Sequence, residues 1–450
     1  MPFVRIVYMR RLNNEQYAAS RAQGGVHLVI AGAGTGKTST LIEKVCSVMR
    51  YGNIPSEKIL VLTFSRKAAG ELKERIAALR LNVPEISTFH AYSLGLLRRF
   101  SGEFMREYRF NVFPKVIDDE SKDEIISGLI KGRRREFLGL PDAAVRRFME
   151  RGRWSVDELK RLETCGLSDA LKKLREDYAE SKRLRGVVDF DDIIFFCRDL
   201  LTRRRDILEE IRDGLDYILV DEYQDTSDAD FEMLGLLSRN GEKNLFVVGD
   251  DWQAIYGFRN ARVEYILNMK KYFPHLAVHK LTINYRSRFE IVSLSNKFIK
   301  GNKNRTRKQL VSTKGRGGMV RHYSVSSVAE EHELVKKIAE TEHGELAVLF
   351  RNNSQCSGLL ESFPEIEQRE ETFLMTMHSS KGLEFETVII IGVDDAVIPD
   401  RNSPIEEERR LFYVALTRAK ERLYIISREA SRFGKELAVA PSNYTGKNKS

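Results

Sequence analysis

A glycine-rich turn lies near the start of the chain, between a short apolar run and a helix-like segment. It reads Ala31-Gly32-Ala33-Gly34-Thr35-Gly36-Lys37-Thr38, after the run Val26–Ile30 and before the run Leu41–Met49. Strand, glycine-rich turn and helix together are the context of a phosphate-binding P-loop, in which backbone N–H groups converge on phosphate oxygens. Lys37 is then expected to reach the β- and γ-phosphates and Thr38 to coordinate Mg²⁺. Ala in the first position departs slightly from the strict pattern, and a turn without a ligand is the disfavoured alternative.

An acidic pair, Asp221-Glu222, directly follows the apolar run Tyr217–Val220. Two carboxylates at the end of a buried strand are costly unless they meet a cation or a proton. Beside a P-loop, Asp221 suits the Mg²⁺ shell and Glu222 suits the base that orients an attacking water. Two acids in a loop are otherwise usually just solvated, so this prediction of nucleotide hydrolysis depends on the P-loop.

Short runs rich in Val, Ile and Leu position these motifs. The predicted strands are Val26–Ile30, Ile59–Phe64, Tyr217–Val220, Leu245–Val248, Leu346–Phe350, Val388–Val393 and Leu423–Ile426. Such runs suit strands buried on both faces of a parallel sheet, and the helix-like stretches between them indicate an α/β architecture with right-handed crossovers. In such sheets the ligand-binding loops lie beyond the carboxyl ends of the strands, and most of the motifs follow predicted strands.

Three stretches break this alternation. Residues 98–186 carry many charges and helical spacing, which predicts a helical insertion. Phe273–Lys280 is interpreted as the link to a second α/β unit, and residues 432–450 as a frayed polar tail. The predicted divisions are 1–97 and 187–277 for the first unit, 98–186 for the insertion, 278–431 for the second unit and 432–450 for the tail.

The composition is that of an ordinary globular chain. The chain has 450 residues, 42% apolar and 31% charged, which excludes a disordered, collagen-like or coiled-coil protein. Its formal charge of +9 is weak evidence for a polyanion partner. No apolar run approaches the roughly 18 residues needed to cross a bilayer, and the first residues do not resemble a signal peptide. Four well-separated cysteines (Cys46, Cys165, Cys197 and Cys356) suggest core thiols of a reducing cytoplasm.

Further motifs accompany the P-loop and the acidic pair in a fixed order. They are Leu12–Gln16, Leu62–Ala69, Thr88–Tyr92, Gly249–Arg259, Asn284–Ser287, Met377–Phe385 and Glu406–Arg418. Together they resemble the superfamily 1 DNA helicases of the UvrD, Rep and PcrA type, from Leu12 to about Arg428. The resemblance implies two RecA-like parallel-sheet cores with the P-loop NTPase fold, a helical insertion in the first core, and an ATP-dependent DNA motor.

The resemblance also implies how the nucleotide is held. The P-loop, residues 31–38, binds the phosphates, Gln16 reads the adenine edge, Tyr285 stacks on adenine and Glu384 bonds the ribose. Without the resemblance, the Gln16 segment is better interpreted as a helix start capped by Asn13 or Asn14. The family commonly has Arg where this chain has Ser39, so adenine is expected to be held on one face only.

Three residues are implied at the γ-phosphate. Gln253 is the expected sensor, whereas Arg286 and Arg418 are expected to act as arginine fingers from across a cleft. Arginine fingers contribute roughly 10³–10⁵ to rate, so closure of the cleft is expected to switch hydrolysis on.

A single-strand track is implied by aromatic and basic residues in the same motifs. The residues expected to contact DNA are Phe64, His90, Tyr256, Phe258, Arg259 and His378. Aromatic faces on which bases stack, combined with cations, are typical of binding without sequence preference. In the insertion, the basic run of Lys131, Arg133, Arg134 and Arg135 is expected either to grip duplex phosphates or to form a solvated face. Asp189-Phe190-Asp191-Asp192 is interpreted as largely structural.

A second insertion, common in the family, is expected to be reduced to a short link at about 354–372. The motor should remain, whereas the resemblance no longer predicts that the chain separates a duplex on its own. The predicted function is therefore an ATP- and Mg²⁺-dependent single-strand DNA translocase or helicase, which also engages single/double-strand junctions, and the resemblance implies movement from 3′ to 5′. The alternative is a nucleotide-gated DNA-binding module that needs a protein partner for unwinding. A small-molecule P-loop kinase is disfavoured.

Overall fold

The structure is a computed structural model. It describes residues 12–134, 136–137, 145–146, 149, 167–395, 397–401, 403–428, 431–437 and 442–443. Arg135, Cys165, the first eleven residues and much of the predicted insertion and tail lie outside the described residues.

The described strands, in chain order, are β1 (Val26–Ala31), β2 (Ile59–Thr63), β3 (Glu85–Thr88), β4 (Lys115–Val116), β5 (Val187–Val188), β6 (Tyr217–Val220), β7 (Asn244–Gly249), β8 (Ala277–Leu281), β9 (Ile283–Asn284), β10 (Val311–Ser312), β11 (Met319–Val325), β12 (Leu346–Phe350), β13 (Thr372–Thr376), β14 (Phe385–Val393), β15 (Ala419–Arg428) and β16 (Ser442–Asn443). All seven predicted strands are confirmed, with ends shifted by a few residues.

The α-helices among the described residues span Asn14–Arg21, Lys37–Tyr51, Arg66–Ala77, Phe89–Arg99, Ser101–Tyr108, Asp119–Gly132, Ser168–Arg185, Phe190–Arg203, Arg205–Asp213, Asp228–Leu237, Glu264–Leu267, Met269–Tyr272, Phe289–Ile299, Val328–Thr341, Asn353–Ser362, Ile405–Leu416 and Arg432–Glu436. None of the helices that the structure describes combines the length and apolarity needed to cross a membrane.

Two parallel six-stranded sheets organise the chain. The first has the order β3-β2-β6-β7-β1-β8 and the second the order β13-β12-β14-β15-β11-β16. Strands β2 and β6 are buried along their whole length, as expected for a sheet covered by helices on both faces. We call the chain through Leu281 the first unit and the chain from Ile283 onward the second unit. The P-loop, the acidic pair and the Gln253 motif follow β1, β6 and β7, so they share one edge of the first sheet.

The interpretation of Phe273–Lys280 as a link is wrong for its second half. Ala277–Leu281 is the edge strand β8, which pairs in parallel with β1. The predicted boundary between residues 277 and 278 therefore falls inside a strand. This strand carries the polar residues His279 and Lys280 and alternates between partly buried and exposed positions, so a search for apolar runs misses it.

The prediction of a frayed tail is wrong for the described part of residues 432–450. Residues 432–436 form a helix whose Phe433 is fully buried in the apolar core of the second unit. Ser442–Asn443 adds a short strand beside β11. Phe433 packs against Phe298 and Phe412, and Leu437 is buried in the same core.

The helical insertion has an apolar core of its own, which includes Ile126, Ile130 and Leu174. Phe104 and Phe110, in contrast, pack into the core of the first unit. The predicted boundary at residue 98 lies inside the helix Phe89–Arg99. Residues just beyond it thus extend the first unit, and the separate core involves the helices from Asp119 onward.

The basic run of the insertion is partly neutralised within the protein. The Arg133 guanidinium pairs with Asp177 at 2.5 Å and with Glu136 at 3.0 Å. A cation paired twice with carboxylates attracts phosphate weakly, and the Arg133 side chain is only 16% exposed, so Arg133 fits neither a duplex grip nor a solvated face.

Candidate functional site

The P-loop has the backbone that its sequence predicts. Gly34 and Gly36 have φ angles of +68° and +83°, which residues with a Cβ rarely adopt. The Thr35 hydroxyl donates to the Gly32 carbonyl at 2.9 Å and closes the turn on itself. The next helix begins at Lys37 without a side-chain cap, so among the described residues no side chain competes for its first N–H groups. This arrangement can bind phosphate oxygens at the positive end of the helix.

Lys37 and the acidic pair form one partly buried electrostatic cluster. The Lys37 ammonium donates to Glu222 Oε2 at 3.0 Å. Burial opposes the charge on Lys37, but Glu222, Asp250 and Asp221 outweigh it and raise the Lys37 pKa. For Glu222, burial is likewise outweighed by Lys37 and Lys381, which lower its pKa. Glu222 is therefore an ionised carboxylate that can accept a hydrogen bond from water, and its unusual φ of +50° marks a tightly held position.

Asp221 and Thr38 supply the oxygen ligands that a magnesium ion prefers. Burial, and then the neighbouring Glu222, raises the pKa of Asp221. A divalent cation beside the carboxylate would offset both effects. One carboxylate and one hydroxyl, completed by water and phosphate oxygens, match the usual protein contribution to Mg²⁺. The residues present therefore fit the predicted ion.

The second unit lies directly on the P-loop. The Asn284 side-chain amide donates to the Ala33 carbonyl at 2.7 Å, and the Tyr285 backbone N–H donates to the Gly34 carbonyl at 2.9 Å. The Tyr285 hydroxyl also accepts a bond from Asn13 at 2.8 Å. Tyr285, which is 37% exposed, thus stands beside the start of the first helix, where a base could stack on it.

Gln16 is held by the protein on both sides of its amide. Asn13 caps the helix in a capping box, in which Gln16 Oε1 accepts from the Asn13 backbone N–H at 3.0 Å. Gln16 Nε2 donates to the Thr35 carbonyl at 2.9 Å. The cap predicted from sequence alone is confirmed. Reading of adenine by Gln16 stays a prediction, since the amide oxygen and the amide nitrogen each make one of these bonds and can each make a second. Ser39 lies in the first turn of the neighbouring helix.

Arg286 and Glu384 lie together at the cleft. Arg286 Nε donates to Glu384 Oε2 at 2.7 Å, and its Nη1 donates to the Thr417 carbonyl at 3.3 Å. Burial opposes ionisation of Glu384, but Arg286 and Lys420 outweigh it and lower the Glu384 pKa. The predicted γ-phosphate contact and the predicted ribose contact are therefore adjacent.

Arg418 reaches the first unit through Gln253. It is 1% exposed, and its Nη2 donates to Gln253 Oε1 at 3.4 Å while its Nε donates to the Val414 carbonyl at 2.9 Å. Burial, followed by the nearby Arg286, lowers the Arg418 pKa to about 9. A buried guanidinium without a paired carboxylate is costly, and an anion in the cleft would relieve that cost.

Four of the six predicted strand-binding residues form a continuous aromatic row across both units. Phe64 stacks on Tyr256 with ring centroids 4.9 Å apart, and Tyr256 meets Phe258 edge-on at 5.9 Å. Phe258 then contacts His378 of the second unit at 5.4 Å. The Arg259 guanidinium lies 5.6 Å from the ring centroids of both Tyr256 and Phe258. Phe258 is 63% exposed, so its face is available for stacking.

His90 stands apart from this row and beside a residue that the sequence interpretation treated as structural. The His90 ring contacts Phe190 edge-on at 5.9 Å, and Phe190 is 43% exposed. The flanking Asp189 is a helix cap that bonds Lys182 at 2.8 Å, as the structural interpretation expects. An exposed aromatic at a helix start beside a predicted strand contact is the signal that could have singled out Phe190.

Two lysines of the second unit were missed. The Lys381 ammonium donates to Asp225 at 2.5 Å and to the Gln253 carbonyl at 3.0 Å. Lys308 is fully buried between Asp250 at 2.6 Å and Asp251 at 2.9 Å. Lys381 stands in a quoted motif next to His378, whereas no local sequence pattern points to Lys308.

These features define a class of protein. A P-loop at the end of β1, an acidic pair at the end of β6 and a second parallel sheet closing over both are the features of a P-loop NTPase with two RecA-like cores. The family models agree with this assignment. Residues 12–274 match the UvrD/REP helicase N-terminal domain, and residues 279–367 and 359–430 match the UvrD-like helicase C-terminal domain. The chain belongs to the UvrD/REP helicase family.

Several curated proteins are similar to this chain. The ATP-dependent DNA helicase PcrA of Leuconostoc citreum is 32% identical over 78% of this chain and 48% of the relative. PcrA of Staphylococcus aureus is 31% identical over 79% of this chain and 50% of the relative. A probable DNA helicase of Mycoplasma pneumoniae is 29% identical over 94% of this chain and 85% of the relative. The chain thus spans about half the length of the PcrA relatives.

Proposed function

We propose that this chain is an ATP- and Mg²⁺-dependent motor that moves 3′ to 5′ along single-stranded DNA and separates strands at junctions. The observation that carries the proposal is the aromatic row from Phe64 to His378. It crosses from the first unit to the second through the Tyr256–Phe258 segment, and Gln253, three residues before Tyr256, contacts Arg418. Nucleotide chemistry and a strand-binding surface therefore share one short piece of chain. The names of the PcrA relatives support the same activity.

Each side chain of the nucleotide site has a proposed role. Lys37 neutralises β- and γ-phosphate oxygens, and Glu222 orients the water and accepts its proton. Gln253 senses the γ-phosphate, while Arg286 and Arg418 stabilise its charge from the second unit. Thr38 and Asp221 would hold Mg²⁺, which supplies further charge neutralisation when bound.

The DNA contacts follow from chemistry that does not depend on base sequence. Base faces stack on Phe64, Tyr256 and Phe258, each stack being worth roughly 1–3 kcal/mol, while Arg259 attracts the backbone. His90 and His378 contact the strand at either side. Burial, together with Arg351, Lys381 and Arg259, lowers the His378 pKa to about 4, so this ring acts as a neutral hydrogen-bonding group near pH 7.

A second candidate is a translocase or nucleotide-gated DNA-binding module that separates strands only with a protein partner. Between β12 and β13 the chain forms one helix, Asn353–Ser362, and a 3₁₀ turn, Pro364–Gln368. A segment this short offers little surface for engaging duplex DNA, which favours dependence on a partner. We further propose the cytoplasm as its compartment, in keeping with the free thiols of Cys46, Cys197 and Cys356.

The deciding experiment is strand displacement on 3′-tailed, 5′-tailed and blunt duplexes with ATP and Mg²⁺. Displacement from 3′ tails alone supports an autonomous 3′–5′ helicase. Single-strand-stimulated hydrolysis without displacement supports the partner-dependent translocase. Absence of any effect of single strands on hydrolysis would contradict a motor of either kind and favour the nucleotide-gated DNA-binding module.

A further inference from the structure

The segment of residues 250–259, which we call the bridging segment, belongs to the first unit by sequence but is held largely by the second. Ile255 is fully buried in the apolar core of the second unit, among residues that include Leu411 and Ala415. Trp252 meets Tyr413 edge-on at 5.5 Å. The segment that carries Tyr256 and Phe258 is therefore positioned by contacts from across the cleft.

Three consecutive glutamates at the start of the helix Ile405–Leu416 have different partners. Glu406 accepts from the Lys303 backbone N–H at 2.7 Å, and Glu408 accepts from Arg351 at 3.0 Å, both within the second unit. Among the contacts of the described residues, Glu407 is the one of the three that bonds the first unit: its Oε1 accepts from the Gly257 backbone N–H at 2.9 Å. Identical side chains in adjacent positions thus differ in whether they cross the cleft.

The Glu407 carboxylate lies directly against Gly257, where a side chain would displace it. A Cβ on residue 257 would lie 2.6 Å from Glu407 Oε2 and 2.8 Å from Oε1. Gly257 is followed by Phe258 and Arg259 in a 3₁₀ turn. A carboxylate that accepts the first N–H of this turn restricts how the exposed Phe258 ring and the Arg259 guanidinium can be presented.

We propose that Glu407 is a positioning residue for strand binding, which sets the Phe258–Arg259 turn from the second unit. This inference rests on the proposed function of the aromatic row. A carboxylate beside a strand-binding surface repels phosphates, so it can favour binding only through the turn that it holds.

The same helix also determines how the turn responds to nucleotide. Arg418, just beyond the carboxyl end of the helix, bonds Gln253 near the start of the bridging segment, whereas Glu407 bonds Gly257 near its end. One rigid helix therefore holds both ends of the segment. Movement of the second unit relative to the first carries the Phe258 turn with it, which couples cleft closure to strand contact.

The test compares Glu407→Ala, Glu407→Gln and the matched control Glu406→Ala in the full chain. The readouts are hydrolysis without DNA, the KM for ATP, and the dT-oligonucleotide concentration that gives half-maximal stimulation. A hydrogen bond to a charged group corresponds to roughly tenfold or more in an equilibrium. We expect Glu407→Ala to raise the half-maximal dT concentration about tenfold, with hydrolysis without DNA and the KM for ATP unchanged. Glu407→Gln, which keeps an acceptor oxygen, should restore most of the wild-type value, and Glu406→Ala should leave it unchanged.

Two results would overturn the proposal. One is an unchanged or lowered half-maximal concentration in Glu407→Ala, because the carboxylate would then only repel the strand. The other is an equal rise in Glu406→Ala, which would indicate a general disturbance of the helix. Hydrogen exchange of the peptide that covers Gly257 tests the positioning without DNA: exchange should accelerate in Glu407→Ala and not in Glu406→Ala. If wild-type hydrolysis did not respond to DNA, the proposed function would fail, and the exchange result would still decide whether Glu407 holds the turn.

Discussion

The P-loop and the bridging segment, two loops at the same edge of the first sheet, are built in different ways. The P-loop closes on itself through Thr35 and Gly32 and ends in the free N-terminus of a helix. The bridging segment depends on Ile255 in the core of the second unit and on Gly257 bonded to Glu407. The comparison teaches that phosphate binding is a local property of the chain. Coupling to a strand, in contrast, depends on how the two units pack.

The largest effect is expected when the chemistry at the P-loop is removed and the contacts between the two units are kept. Lys37→Ala or Glu222→Gln should lower DNA-stimulated ATP turnover by about 10³-fold or more, because charge neutralisation and water orientation at the γ-phosphate are lost. Binding of a labelled dT oligonucleotide without nucleotide, measured by anisotropy, should stay within about threefold of wild type. A Glu222→Gln variant that hydrolyses ATP at the wild-type rate would show that another residue is the base.

The converse change weakens the packing between the units and leaves the P-loop intact. Lys308→Ala leaves Asp250 and Asp251 buried without their cation, and breaking such a pair by removing one partner costs about 3–5 kcal/mol. The melting temperature should therefore fall by several degrees, as measured by calorimetry.

Lys58→Ala is the matched control for Lys308→Ala. Lys58 pairs with Asp216 at 3.3 Å with both side chains substantially exposed, and such pairs contribute at most about 1 kcal/mol. Equal shifts in melting temperature for the two variants would contradict the assignment of a buried linkage to Lys308.

A smaller effect is expected at the exposed end of the bridging segment. Phe258→Ala removes one stacking face and should weaken dT-oligonucleotide binding by about 1–3 kcal/mol, with hydrolysis in the absence of DNA unchanged. Tyr51→Ala is a suitable control, because Tyr51 is 62% exposed. It is the last residue of the helix that begins at Lys37, which places it about 20 Å from Lys37 by helical rise. Equal losses in the two variants would indicate that any exposed aromatic residue contributes.

The smallest effect concerns the strand that joins the two units. His27 Nδ1 lies 3.2 Å from His279 Nε2 across β1 and β8, and burial lowers the pKa of both rings below the ordinary 6.5. The unfolded chain then binds more protons, so this contribution to stability is present above about pH 6.5 and is lost as the pH falls. The melting temperature should drop between about pH 7.5 and 5.5 by a few degrees more in wild type than in His279→Gln. Parallel pH profiles would exclude the pair as the cause.

Much of the fold was predictable because its central strands are runs of apolar residues. Val61 and Leu219 stand in runs that are apolar throughout, as a strand covered on both faces requires. Strand β8 and the helix with Phe433 were not predictable in this way. His279 and Lys280 belong to an edge strand that is partly solvated, and the helix with Phe433 docks through only two apolar residues, Phe433 and Leu437, in a polar stretch.

The same division holds within the site. The sequence by itself determined the P-loop and the acidic pair after β6, because spacing within a single strand–loop unit positions each of them. Only the tertiary structure decided that Lys308 bonds Asp250, that Arg418 meets Gln253, and that Glu407 rather than Glu406 reaches Gly257. Such contacts join residues separated by tens to more than a hundred positions. The partner of each residue depends on how the two sheets pack, and a local pattern of residue types does not predict that packing.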